Sequence, residues 1–147
     1  MGKVKNILQA KGGSIVSVEP GITVYKAIEL MSEKNISSLL ITDTAGKLLG
    51  IFTERDYARK LILKGKSSKD TLIKELMTQN PVTVSSDSSI EDCMKVMTDK
   101  HIRHLPVVDS GKVMGMISIG DLVRFIIEEQ KGIIQDLEHY ITGHHGS

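Results

Sequence analysis

The sequence predicts an α/β (α+β) fold of two β-α-β-β-α repeats that pack about a pseudo-twofold axis into one module. Segments of the first half recur in the same order in the second half. Val16-Ser17-Val18 aligns with Val82-Thr83-Val84, and Leu39–Asp43 aligns with Leu105–Asp109 at the same offset. Such recurrence indicates duplicated structural units. A unit of about 60 residues buries too little surface to be stable alone, so we expect both copies to share one core.

Each copy opens with a strand and a helix. The runs "IVSV" and "PVTV" are short, β-branched and bounded by turn formers, which predicts strands. Apolar residues spaced i, i+3, i+4 and i+7 then run from Val24 to Met31 and from Ile90 to Met97, which predicts one face of a helix. Thr23 and Ser89 precede these helices, where an N-cap hydroxyl is expected.

A hairpin and a second helix complete each copy. "SSLLITD" and "RHLPVVD" predict strands, and "LLGIF" and "VMGMIS" predict their returning partners after Gly-containing turns. The apolar positions of the second helix are Tyr57, Ala58, Leu61 and Ile62 in the first copy and Leu122, Val123, Ile126 and Ile127 in the second.

The repeats are assigned to residues 4–66 and 70–130. Upstream of the strands, "VKNIL" from Val4 resembles "IKELM" from Ile73, with three further residues following it in the first copy. A polar stretch connects the copies, and Gly65 stands there at an expected helix C-cap.

The last segment, 131–147, is predicted to be a helical extension and tail. Gly132 is an expected helix end, yet Ile134, Leu137 and Ile141 keep helical spacing, so the helix is expected to resume after a kink. Nothing remains in the chain to cover this apolar stripe, which predicts contact with a second copy and hence a homodimer.

Composition narrows the classes of function. The 147 residues include 19 basic and 18 acidic side chains, no Trp and two Phe, so neither a basic face nor stacking aromatics favour nucleic-acid binding. No apolar run reaches the roughly 18 residues of a membrane span, and no signal segment is evident. The one cysteine, Cys93, suits a reducing compartment, so a cytoplasmic location without membrane contact is predicted.

Two related motifs carry the candidate chemistry, "GIFTERD" ending at Asp56 and "GMISIGD" ending at Asp121. A carboxylate can accept hydrogen bonds from both hydroxyls of a ribose, and a helix start favours a phosphate nearby. Arg55 lies in that first turn, and its planar guanidinium suits phosphate oxygens. A capping box, formed by Thr53 with Asp56 and by Ser118 with Asp121, is the alternative explanation. Both roles can coexist.

The tandem resembles a pair of CBS domains, named after cystathionine beta-synthase. The resemblance runs from about Val4 to Phe125 and is carried by "MTQNPVTV", "IRHLPVVD" and the two motifs. It is closest to small stand-alone CBS-pair proteins. It implies two clefts between the repeats that bind AMP, ATP, NAD(H) or S-adenosylmethionine.

The resemblance also implies roles for individual residues. Asp56 and Asp121 would hold ribose hydroxyls, with Thr53 and Ser118 touching the ribose or phosphate of the same ligand. The remaining contacts would come from Thr78 and Val82 beside Asp56, from Val16 beside Asp121, and from Arg103 and His104 toward phosphate.

The sequence therefore predicts a regulatory or sensor module that binds an adenine nucleotide and requires no cofactor. We expect no enzyme activity, because no nucleophile–base pair, metal cluster or P-loop is evident. His101 and His104 lack companion ligands at metal-binding spacing, so no metal site is predicted. The alternative is a structural dimerisation module whose clefts hold no nucleotide. A regulated protein partner is expected, of unknown identity.

Overall fold

The computed structural model describes the backbone of residues 2–12 and 15–146. It describes the side chains of residues 2–12, 15–139 and 141. Residue 147, the last of the predicted tail, lies outside the described residues. The helices are α1 (Val4–Lys11), α2 (Val24–Lys34), α3 (Glu54–Asp56), α4 (Ile73–Leu76), α5 (Ile90–Lys100) and α6 (Ile119–Gly146). α3 continues directly as a π-helix, Tyr57–Ile62. The strands are β1 (Ser17–Val18), β2 (Ser38–Thr42), β3 (Leu48–Thr53), β4 (Thr78–Gln79), β5 (His104–Asp109) and β6 (Lys112–Ser118).

The strands form two sheets, and the mixed α+β class predicted from the sequence is confirmed. In the first sheet β1 pairs parallel with β2, and β2–β3 and β3–β4 pair antiparallel. In the second sheet β5 and β6 form an antiparallel hairpin. Because β4 follows the connection between the repeats, the first sheet includes a strand from the second half of the chain.

The predicted strand "PVTV" is wrong in extent. Of this run, Val84 alone makes a bridge, parallel to Val107, while Thr78–Gln79 just before it forms β4. Pro81 has no N–H to donate to a ladder, which limits regular pairing there. The matching run "IVSV" is also shorter than predicted, because pairing covers Ser17 and Val18.

The helix starts and ends confirm the duplication. The Thr23 side chain accepts a hydrogen bond from the backbone N–H of Lys26, and the Ser89 side chain accepts one from the backbone N–H of Asp92. Both helices end on a residue in the left-handed region, Asn35 with φ 53° and His101 with φ 54°. The N-caps predicted at Thr23 and Ser89 are therefore present.

The hydrophobic interior consists of two clusters rather than the one core expected, and each borrows a helix from the other half of the sequence. Core 1 contains Val24, Ala27, Met31, Leu39, Ile41, Phe52, Leu61, Ile73 and Leu76. Core 2 contains Val4, Ile7, Ile90, Cys93, Met97, Leu105, Val107, Ile117 and Leu122. Helix α1 thus packs in core 2, and helix α4 packs in core 1. Each helix crosses the predicted boundary between the repeats, and the bounds 4–66 and 70–130 stay a prediction.

Backbone hydrogen bonds at the starts of α2 and α5 attach each of these helices to the segment that precedes the borrowed helix. Val24 N–H donates to the Thr71 carbonyl at 2.9 Å, and Ile90 N–H donates to the Gly2 carbonyl at 3.2 Å. The first N–H groups of a helix lack partners within the helix, so these bonds satisfy them.

Two predicted features of the second helices are wrong. Ile62 is 56% exposed although helical spacing placed it with buried Leu61. The segment is π-helical, with Leu63 N–H donating to the Ala58 carbonyl, and its wider turn moves residues off the α-helical face. Gly132 does not end the last helix, because α6 runs through it to Gly146.

Within the described part of the chain, no helix combines the length and apolar composition needed to cross a bilayer.

Gly50 permits the contact between β3 and β4. A methyl group at its Cα would lie 2.7 Å from the Thr78 carbonyl oxygen and 2.8 Å from the Met77 sulfur. We expect Gly50→Ala to lower the free energy of unfolding by about 1–3 kcal/mol, because backbone must move to admit the methyl group. Urea unfolding measures this loss.

Gly21→Ala is the matched control, since the same methyl group there has nothing within 4 Å. Equal stability of the two variants would contradict the close approach of β3 and β4.

Candidate functional site

A cleft of about 1080 Å³ opens between the two repeats at the start of α3. One wall comes from β3 and α3, and the other comes from the end of α5 and the start of β5. The segment after β4 closes its third side. The lining residues are Ser37, Ile51, Thr53, Glu54, Arg55, Asp56, Arg59, Lys60, Thr78, Asn80, Pro81, Val82, Met97, Thr98, His101, Ile102, Arg103, His104 and Ile119.

Asp56 lies in this cleft with both carboxylate oxygens engaged. Thr53 donates to Oδ2 through its backbone N–H at 3.0 Å and its hydroxyl at 3.2 Å. The Thr53 hydroxyl in turn accepts from the Asp56 N–H. The capping box considered in the sequence is therefore present, and it fixes the carboxylate at the start of α3.

The other carboxylate oxygen of Asp56 receives donors from two elements. The Thr78 hydroxyl donates to Oδ1 at 3.2 Å, and the Lys60 ammonium lies 3.1 Å from the same atom. Lys60 was not among the predicted site residues, although its spacing of four residues from Asp56 on a helix is a signal for such a pair. The site thus offers a carboxylate whose partners are a hydroxyl and a half-exposed lysine.

Two direct contacts join the repeats across the cleft. The Arg55 guanidinium donates to the His101 carbonyl at 2.7 Å. His104 Nε2 and the Ser37 hydroxyl lie 3.1 Å apart. The four residues of these contacts all line the cleft.

The cleft carries an excess of positive charge. Arg55, Arg59, Lys60 and Arg103 line it together with two carboxylates. Exposed guanidinium groups match phosphate oxygens in geometry as well as in charge. The charge balance therefore favours an anionic ligand over a neutral or cationic one.

His104 keeps a mainly neutral imidazole. Burial lowers the pKa of His104 below its usual 6.5, and the positive charges of Lys11 and Arg103 act in the same direction. The carboxylates of Asp121 and Glu54 oppose this shift. At neutral pH His104 can therefore donate or accept a hydrogen bond without adding a full charge to the cleft.

The second motif has a different environment. Ser118 N–H donates to Asp121 Oδ2 at 2.8 Å, and Asp121 N–H donates to the Ser118 hydroxyl, so this capping box is present too. Lys11 Nζ lies 2.9 Å from the same carboxylate oxygen, and Arg124 lies 2.6 Å from the other. The side chain of Asp121 is 5% exposed.

Seven of the ten predicted ligand-binding residues line the one described cleft. They are Thr53, Arg55, Asp56, Thr78, Val82, Arg103 and His104. Ser118 and Asp121 instead bond to each other, and Asp121 accepts a hydrogen bond from Lys11. Val16 packs against core 1. Sequence reasoning missed Lys11 because its contact with Asp121 joins opposite ends of the chain.

Two other polar groups have structural surroundings. Burial, followed by the charge of Asp92, raises the pKa of the Cys93 thiol to about 11, so this cysteine stays protonated. Among the residues that the structure describes, no three His, Cys, Asp or Glu side chains cluster as metal ligands would.

Comparison with known proteins identifies the family. The sequence model of the CBS domain matches residues 6–63 and 73–128. The chain therefore belongs to the CBS domain family, with two tandem copies. It is 36% identical over 148 residues to the mitochondrial CBS domain-containing protein CBSX3 of Arabidopsis thaliana, covering 95% of this chain and 72% of that protein.

Solved structures agree with this assignment. A putative signal-transduction protein with CBS domains from Burkholderia ambifaria superposes with a TM-score of 0.83 at 46% identity, over 88% of this chain and 96% of that one. The CBS domain pair of MJ0100, in complex with 5-methylthioadenosine and S-adenosyl-L-methionine, gives 0.78 at 29% identity, over 88% and 98%. CBSX2 in complex with AMP gives 0.73 at 26% identity, over 87% and 98%.

Asp121 predicts a dependence of stability on pH. Burial alone would raise the pKa of its carboxyl, but hydrogen bonds from Lys11 and Ser118 and the Lys11 charge outweigh burial and lower the pKa below 3.8. A lowered pKa contributes stability above the unfolded-state value, and this contribution is lost as pH falls through the folded-state value. The loss is therefore expected below about pH 4.

Asp121→Asn tests this dependence. We expect the variant to be less stable than the parent by about 1–3 kcal/mol at pH 7, since Lys11 and Arg124 lose a charged acceptor. Its stability should then fall less steeply between pH 5 and pH 3 in urea unfolding experiments. A pH profile parallel to that of the parent would contradict the ion pairs at Asp121.

Proposed function

We propose that the chain is a regulatory module that binds an adenosine-containing ligand in the cleft at Asp56. The observation that carries the proposal is a fixed carboxylate at a helix start that faces a cleft lined with guanidinium groups. AMP and S-adenosyl-L-methionine, bound by the related CBS pairs, support the class of ligand. AMP, ATP and NAD(H) are the candidates that we propose for this chain.

The ribose would bind through Asp56. Thr53 already orients one carboxylate oxygen, so it needs no reorganisation. The ribose hydroxyls would replace the Thr78 and Lys60 donors on the other oxygen, and Lys60 would keep its hydrogen bond to the Leu76 carbonyl. Thr78 then remains within reach of the ribose. Val82, 40% exposed in the cleft, would offer apolar surface to the adenine ring with Ile51, Met97, Ile102 and Ile119.

The phosphate would bind toward the opposite wall. Arg103 lies there, and the Arg55 side chain reaches this wall from α3, where its guanidinium donates to the His101 carbonyl. A phosphate that takes the Arg55 guanidinium would remove this link between the repeats. Binding would thus change the contact between the repeats, and a bias toward one packing is how a ligand shifts a two-state module.

The proposed role is non-catalytic, with no cofactor required. A partner protein of unknown identity would respond to whether the cleft holds a ligand. The reducing, cytoplasmic location remains a proposal that rests on the single buried cysteine; the Arabidopsis relative is named as mitochondrial.

Asp56→Asn tests the ribose contact. We expect AMP to bind about 10- to 100-fold more weakly, because an amide cannot replace a charged acceptor for two hydroxyls. Isothermal titration calorimetry measures the affinity, and thermal unfolding without ligand checks that the variant is folded. Asp70→Asn, at an exposed carboxylate in the connection between the repeats, is the matched control with unchanged affinity.

Thermal shift with AMP, ATP, NAD, NADH, 5-methylthioadenosine and S-adenosylmethionine then identifies the ligand, since a ligand of the native state raises its stability. No shift at millimolar concentration with any of them would overturn nucleotide binding and support the purely structural dimerisation module.

A homodimer is the second part of the proposal. Ile127, Ile134 and Ile141 recur every seven residues on α6, and Val123 and Leu137 each lie four residues before one of them on the same face. We call these five residues the α6 stripe; Ile134 is 54% exposed and Leu137 57% exposed. This heptad spacing is that of the apolar seam of a coiled coil, with Gln130 as a polar residue within the seam. A second copy presents the same stripe and would cover it.

Ile134→Glu is expected to convert the dimer to a monomer, because a buried carboxylate in the helix pair has no partner. Size-exclusion chromatography with light scattering gives the mass. Gln135→Glu adds the same charge at an exposed neighbouring position and should leave a dimer. A parent protein that is monomeric at every concentration tested would contradict the proposed dimer.

A further inference from the structure

We propose that Lys11 closes the second aspartate site, so that each chain binds one adenosine-type ligand, at Asp56, and none at Asp121. The proposal rests on the function proposed above and assigns that function to one of the two motifs. It follows from the different partners that the fold supplies to the two carboxylates.

The two carboxylates are equivalent in sequence but have unequal partners. At Asp56 one cation, Lys60, is present on the same helix, and a hydroxyl supplies the other donor to that oxygen. At Asp121 each oxygen has its own cation, Lys11 on one and Arg124 on the other. A ribose would have to displace charge-assisted bonds at both oxygens of Asp121.

Lys11 reaches Asp121 because α1 is longer than its counterpart α4. Leu8 in α1 corresponds to Met77 after α4, and each contacts the glycine of a motif: Leu8 lies against Gly115 and Met77 against Gly50. After Met77 the chain leaves the helix and forms β4, which lines the cleft.

After Leu8, by contrast, α1 continues to Lys11. Three additional residues extend a helix by about 4.5 Å at 1.5 Å per residue. Where the first motif faces the β4 segment, the second therefore faces the last turn of α1.

Lys11 is fixed there by a second hydrogen bond. Its ammonium donates to the Met116 carbonyl at 2.9 Å as well as to Asp121 at 2.9 Å. Lys60 at Asp56 is held in a comparable way, because its ammonium also donates to the Leu76 carbonyl at 3.1 Å. What distinguishes Asp121 is therefore the pair of cations, with Lys11 on one oxygen and Arg124 on the other. The carboxylate that Lys11 pairs with is buried, with 5% of the Asp121 side chain exposed.

Calorimetric stoichiometry with AMP as the probe tests the proposal. The parent chain is expected to bind one AMP per chain, and Lys11→Met, which keeps the side-chain length but removes the ammonium, is expected to bind a second. Lys5→Met is the control: Lys5 is on the same helix, pairs with Asp87 at the surface and should leave the ratio at one. Two AMP per parent chain, or one per Lys11→Met chain, would overturn the proposal.

Asp56→Asn separates the two sites. This single variant should bind AMP about 10- to 100-fold more weakly, and adding Lys11→Met to it should add one site at Asp121. If neither the parent nor Lys11→Met binds AMP or any other ligand of the thermal-shift panel, the proposed function fails.

In that case a measurement without ligand still decides on the closure. Lys11→Met and Asp121→Asn are combined in a double-mutant cycle by urea unfolding. The effect of the double variant on the unfolding constant should differ from the product of the single effects by at least about threefold. Independent effects of the two substitutions would overturn the closure by Lys11.

Discussion

The exchange of α1 and α4 between the two cores is the constraint on which the rest of the structure depends. Both helices are too short to be stable in isolation, so each forms because the core of the other repeat covers it. α1 buries Val4 and Ile7, and α4 buries Ile73 and Leu76. Complete burial of one such side chain contributes about 1.5–3 kcal/mol, so neither repeat has a complete core without its borrowed helix.

The same exchange determines what faces each aspartate. α4 ends early, and the following strand brings Thr78 to Asp56 while leaving a cleft beside it. α1 continues for another turn and brings Lys11 to Asp121. Asp56 therefore lies in a ligand-sized cleft with one cation beside it, whereas Asp121 is paired with two cations. A difference in helix length, remote from the motifs, distinguishes two sites whose own sequences are similar.

The sequence predicted the features that depend on local spacing. The repeat, the caps at Thr23 and Ser89 and the capping box at Asp56 follow from residues a few positions apart. The sequence did not predict the π-helix that exposes Ile62, because that depends on hydrogen-bond geometry. It also missed Lys11, whose partner is distant in the chain. Seven of the ten candidate residues do line one cleft, which the paired motifs made predictable once the family was recognised.

Nuclear magnetic resonance of the parent chain during titration with AMP tests most directly which aspartate binds ligand. The backbone amide signals of Thr53, Asp56 and Thr78 should shift and saturate together, because the ribose contacts lie there. The amide of Ser118, beside the Lys11–Asp121 pair, should keep its chemical shift at the same AMP concentration. Saturable shifts at Ser118 and Asp121 with none at Asp56 would contradict the account.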